Sequence, residues 1–125
     1  VIAADSSALI AYVQGQHTAI VERLEEALDM RSVVLPPAVL AEILSDPHLS
    51  DVVAEKFLRL PLLDIFSGYW ERVGRTRAKL IAKGHKARLA DTQIAQSCID
   101  HGVPLLTADN DFRHFVEHGG LKLAS

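Results

Sequence analysis

Leu105-Leu-Thr-Ala-Asp-Asn-Asp-Phe112 (LLTADNDF) ends a short apolar run and then sets two aspartates, Asp109 and Asp111, one residue apart. An apolar run of this length reads as a buried strand. An acid directly after it reads as a helix N-terminus. Two carboxylates so close also suit a cation. A strand that surfaces into the start of a helix is the repeating unit of an α/β protein, so this stretch poses the question for the whole chain.

The same pattern recurs upstream. Val1-Ile-Ala-Ala4 is an apolar run closed by Asp5-Ser6-Ser7, with a helix expected over Ala8–Val13. His17–Met30 carries Ile20, Val21, Leu24, Ala27 and Leu28 on one face and acids on the other, the mark of an amphipathic helix. Ser32–Pro36 reads as a second strand, and Pro37 opens a helix running to Leu44. Asp46-Pro47 breaks it. Leu49–Arg59 reads as a short helix, although Asp51 could equally cap it, and Leu60–Ile65 as a third strand. Gly68–Lys83 is expected to be helical and closed by Gly84, and Leu89–His101 to be closed by Gly102. Val103–Leu106 is then a fourth strand, Asp109–Val116 a short helix and Leu121–Leu123 a last strand. Short apolar strands alternating with helices imply a mainly parallel sheet covered on both faces, a three-layer α/β/α sandwich.

The totals agree. The chain has 125 residues, 49 % apolar and 23 % charged, which suits a single packed domain over 1–125. No apolar stretch approaches the ~20 residues of a membrane helix. The single cysteine, Cys98, excludes an internal disulfide and fits a reducing, cytoplasmic setting. A formal net charge of −3 gives no global attraction to nucleic acid, so any such binding needs a local patch.

In an open parallel sheet the site lies beyond the carboxyl ends of the strands. Asp5, Asp109 and Asp111 follow strands directly, Glu42 lies in the helix after the second strand, and Asp91 in the first turn of the Leu89–His101 helix. Each alone has an ordinary use: Asp5, Asp91 and Asp109 as caps or first-turn acids, and Glu42 as a solvated helix residue. Gathered on one edge they would repel by roughly 4 kcal/mol per pair at 4 Å, which a divalent cation relieves. All-oxygen ligation favours Mg²⁺ or Mn²⁺. Zinc is disfavoured: Cys98 has no partner, and His114 and His118, four apart, have no third ligand nearby in the sequence and read as solvated.

Four segments carry a family resemblance: Asp-Ser-Ser-Ala-Leu (5–9), Pro-Pro-Ala-Val-Leu-Ala-Glu (36–42), Leu-Ala-Asp-Thr-Gln-Ile-Ala (89–95) and LLTADNDF (105–112). In order and spacing they resemble the signature segments of PIN-domain ribonucleases, most closely the VapC-type toxins of toxin–antitoxin pairs. The resemblance implies that Asp5, Glu42, Asp91 and Asp109 are catalytic, metal-binding acids, with Asp111 auxiliary and Ser7 and Thr107 supporting them. It also implies a metal-dependent endoribonuclease leaving 5′-phosphate and 3′-hydroxyl ends, an antitoxin partner and a homodimer. Thr92-Gln93 departs from the small or apolar residues more usual after the third acid.

From Arg72 to Arg88 the chain holds over half of its 13 Lys and Arg and no acid. Such a run is either a solvated helix face or a strip for RNA phosphates or an acidic partner. Lys83, Lys86 and Arg88, nearest Asp91, are the expected RNA contacts. Tyr69 and Trp70 read as core or interface rather than base-stacking residues. The competing reading of the whole is a non-catalytic binding or scaffold module of the same fold, with structural acids. A haloacid-dehalogenase-type phosphatase is excluded because position 7 is Ser rather than Asp.

Overall fold

A computed structural model describes every residue from Val1 to Ser125. Three short strands, β1 (Ile2–Ala4), β2 (Val33–Val34) and β3 (Leu105–Leu106), form a wholly parallel sheet in the order β2-β1-β3. Ile2 pairs with Val33 and Ala3 with Leu105. All three residues of β1 are buried. Successive strand side chains point to opposite faces, so burial of every one means that both faces are covered. The fold is the expected α/β sandwich.

Seven helices supply the cover: α1 (Ser6–Val13), α2 (Ala19–Asp29), α3 (Pro37–Leu44), α4 (Asp51–Leu58), α5 (Tyr69–Ala82), α6 (Leu89–His101) and α7 (Arg113–Gly119). Helix α1 packs on α2 and α3, α3 on α4 and α6, and α5 on α6 and α7. Their ends follow local chemistry. Asp5, Thr18 and Ser50 cap α1, α2 and α4 by accepting from the amides of Ala8, Val21 and Val53. Pro37 fills the first turn of α3, where its missing N–H costs nothing. Gly102 closes α6 at φ 64°, a conformation that charges a Cβ-bearing residue about 1 kcal/mol. Leu9, Leu24, Leu35, Phe57, Leu80, Ile94, Phe112 and Phe115 fill the core.

Several local expectations need correction. Leu60–Ile65 and Leu121–Leu123 are not strands; each contributes one parallel bridge, Leu35 to Leu62 and Leu105 to Leu123. They lie at the two edges of the sheet, where nothing pairs with a further residue. Ser50, not Asp51, caps α4. The helix expected from Asp109 starts as a 3-10 turn (Asn110–Phe112) before α7. Tyr69 is buried, but Trp70 is 64 % exposed and belongs to no core.

Candidate metal centre

Because the sheet is parallel, the carboxyl ends of its strands open on one edge, and the acids meet there. Asp5 leaves β1 and is 3 % exposed. Its Oδ1 accepts from the Ser7 hydroxyl (2.7 Å) and the Ala8 amide (3.0 Å), and its Oδ2 from the Thr107 hydroxyl (2.5 Å). Burial pushes its carboxyl above the usual 3.8 despite these bonds, and the charge of Asp109 adds to the rise. Thr107 also accepts from the Asp109 amide (2.9 Å), and Ser7 from the Ala108 amide (3.0 Å). Two hydroxyls thus tie the ends of β1 and β3 together.

Carboxylate oxygens of Asp91, Asp109 and Asp111 lie within 4.8 Å of one another. At that separation each like-charged pair costs about 3 kcal/mol at an effective dielectric near 20. The strain falls on Asp91. Burial first, then the charges of Asp109, Glu42 and Asp111, raise its pKa to about 6 against the pull of Arg88. Glu42, on α3, accepts from the Ser6 hydroxyl at 2.6 Å. Asp109 Oδ1 caps the following 3-10 turn by accepting from the Asp111 amide (2.9 Å), which leaves its other oxygen free of that duty. The donor set is carboxylate and hydroxyl oxygen alone, with no thiolate or imidazole. Such hard, crowded ligands fit a divalent cation of the Mg²⁺ or Mn²⁺ kind.

The structure therefore brings Asp91, Asp109 and Asp111 into one cluster and sets Asp5 and Glu42 beside it, close enough for their charges to be felt. Asp111, the exposed member, lies in the same cluster as Asp91 and Asp109. Ser6 was not foreseen; its place in the same Asp-Ser-Ser turn as Ser7 is the signal that could have found it.

The basic run divides. Arg72 grips Asp100 of α6 with two nitrogens (Nη2 to Oδ2 2.7 Å, Nε to Oδ1 3.0 Å). Gln96 also donates to Asp100 (2.9 Å), and Thr76 donates to Gln96 (2.6 Å). Arg77 donates to the Ala87 carbonyl (2.8 Å), and Arg75 pairs with Glu71. Arg72 and Arg77 bind α5 to its surroundings, whereas the Arg75–Glu71 pair lies within α5 itself. Lys83, Lys86 and Arg88 remain exposed at the end of α5 and the start of α6.

His114 and His118 are not solvated side chains. Both are half-buried and both stack on His85, with ring centroids 4.1 and 5.0 Å apart. The third histidine that the sequence seemed to lack comes from the α5–α6 loop.

An apolar groove of about 170 Å³ runs beside the acids, lined by Ile10, Val13, Ile43, Leu49 and Phe57, with Glu42 on its rim. No helix is long and apolar enough to cross a membrane.

Comparison with known proteins agrees with this architecture. The family model of the PIN domain matches residues 2–117. The chain resembles VapBC2 from Rickettsia felis, solved with a promoter DNA fragment, at a TM-score of 0.78 and 19 % identity, covering 98 % of this chain and 96 % of that one. It resembles DNA-bound VapBC from Salmonella typhimurium at a TM-score of 0.76 and 24 % identity, over 98 % and 96 % of the two chains. VapBC-5 from Mycobacterium tuberculosis gives a TM-score of 0.68 and 19 % identity, over 98 % and 94 %. At these identities the likeness is one of fold. No curated sequence gives a significant match.

Proposed function

The chain belongs to the PIN-domain family, and on that premise we propose that it is a Mg²⁺- or Mn²⁺-dependent endoribonuclease, the toxin of a toxin–antitoxin pair. The observation that carries the proposal is the convergence of Asp91, Asp109 and Asp111 within 4.8 Å on an edge where Asp5 is already buried. In this reading Asp5, Glu42, Asp91 and Asp109 are the catalytic acids, and with Asp111 they hold the ion. When bound, the ion supplies charge neutralisation for a phosphodiester and an acidified water to attack it. The protein's own work is positioning. Ser7 and Thr107 fix the Asp5 carboxylate, Ser6 fixes Glu42, and the 3-10 turn fixes the spacing of Asp109 and Asp111. Lys83, Lys86 and Arg88 hold flanking RNA phosphates, with the salt sensitivity that such contacts carry.

The VapBC likenesses support an antitoxin partner, and the apolar groove with Glu42 on its rim offers a partner segment a seat beside the acids. Homodimerisation and action in the cytoplasm complete the proposal. The test is cleavage of RNA by the purified protein in Mn²⁺ or Mg²⁺, with the ends sequenced. Metal-dependent cuts leaving 5′-phosphates, absent in Asp5→Asn, are expected. Equal cutting by wild type and Asp5→Asn, or in the presence of a chelator, would overturn it. A thermal shift with millimolar Mn²⁺ separates the enzyme from a scaffold whose acids are structural, since only a ligand of the native state raises the melting temperature.

A further inference from the structure

His114 and His118 stand one helical turn apart on α7, and so share a face. His85 reaches them from the α5–α6 loop and stacks on both rings, at 4.1 and 5.0 Å between centroids. The backbones on both sides are fixed. The His85 amide donates to the Leu80 carbonyl (3.0 Å) as part of the cap of α5, and α5 packs directly on α7. Three imidazoles are therefore held together by structured segments rather than by chance contact of mobile ones.

Stacking alone accounts poorly for them. Aromatic contact of this kind is one that phenylalanine would supply without polar atoms. Here the buried Nδ1 of His114 has no hydrogen-bond partner. A buried polar atom left so destabilises the fold and calls for a partner. Beside it, Glu117 Oε2 lies 3.7 Å from His118 Nε2, too far for a hydrogen bond but near enough to move into a shared shell. Two histidines four apart on a helix with a third from elsewhere is the donor pattern that borderline transition ions take, with a carboxylate or water completing the shell.

We propose that His85, His114 and His118 form a second metal site, selective for a borderline ion such as Zn²⁺ and separate from the acidic centre. The acidic oxygens already converge, whereas these rings lie face to face. Binding must turn them edge-on so that three nitrogens point at one ion. Occupancy would fasten the loop carrying His85 and Lys86 to α7. The proposal does not depend on the nuclease reading.

Isothermal titration of the full chain with Zn²⁺ in excess Mg²⁺ tests it, on wild type, His85→Ala, His118→Ala and the double variant Asp91→Asn/Asp109→Asn. One equivalent of Zn²⁺ is expected in wild type and in the double variant, with affinity at least tenfold weaker in either histidine variant. Zinc binding that survives both histidine changes, that disappears with the acids, or that is no tighter than millimolar would overturn the site. Should the histidine variants fail to fold by circular dichroism, Co²⁺ added to wild type in excess Mg²⁺ decides. Intense visible bands of a four-coordinate nitrogen site are expected, and only weak octahedral bands would sink the proposal.

Discussion

Helix α6 carries two aspartates nine positions apart with opposite fates. Asp100, near its end, is largely buried, yet the guanidinium of Arg72 and the amide of Gln96 outweigh that burial and hold its carboxyl below the usual range. Asp91, in its first turn, faces Asp109, Glu42 and Asp111 with only Arg88 to offset them, and rises to about 6. The same residue type is thus balanced at one end and crowded at the other. The balanced end joins α5 to α6, while the crowded end gathers like charges that a bound cation would relieve. Structural polar groups find their partners inside the fold; functional ones are left needing something from outside.

The comparison breaks first on activity. Asp91→Asn should cut RNA cleavage at least ~10³-fold, as removal of a group acting on the reacting centre does, whereas Asp100→Asn should leave the rate within about threefold. Single-turnover cleavage of a labelled RNA measures both. Stability should show the reverse order. Arg72→Met strands the Asp100 carboxylate and should lower the denaturation midpoint, by less than breaking a fully buried pair because water reaches Arg72. Urea denaturation reads the loss directly. Charge outside the cluster should matter less. Lys86→Ala with Arg88→Ala should weaken RNA binding roughly tenfold and flatten its dependence on log salt by about 1–2, with no change in the metal requirement.

The smallest effect is in pH. Unfolded Asp91 ionises near 3.8 and folded Asp91 near 6, so through that window the unfolded chain has released a proton that the folded chain keeps. Without added metal, stability should fall as pH rises from about 4 to 6 and stay lower above it. After allowance for solvent at this half-exposed group the drop should be on the order of 1 kcal/mol. Asp91→Asn should remove it, raising the melting temperature by a few degrees at pH 7. Asp100 contributes with the opposite slope, stability present near neutrality and lost as acid protonates it. A pH profile that is identical for wild type and Asp91→Asn would erase the contrast between the two ends of α6.

Much of this was legible in the chain. Period and punctuation located α6 to the residue, with Leu89 at its start and Gly102 past its end, because an apolar face and a left-handed glycine are local signals. Asp5, after an apolar run and before Ser-Ser, was legible as a cap for the same reason. Contacts between distant segments were not. Leu60–Ile65 is as apolar as a strand, but only Leu62 meets a partner, and sequence does not tell how much of an edge will pair. Arg72 and Arg77 looked like free cations until Asp100 and the Ala87 carbonyl came into reach. His85 sits almost thirty residues before His114, so no spacing rule joins them. Trp70 shares a helical turn with the buried Tyr69, and only the packing of α5 decides which of the two turns inward.

The hydroxyl clasp between Asp5 and Thr107 spans 102 residues of sequence. Strand β1 sits in the middle of the sheet, and its neighbour β3 follows it in translation only after both α-helical layers are largely made. A chain still being translated therefore exposes Asp5 well before the Asp109 and Asp111 side of the cluster exists. Long-range pairing of this sort is slow to form. The first acid is thus in place long before its companions, and the cluster closes only when a segment distant in sequence docks beside β1.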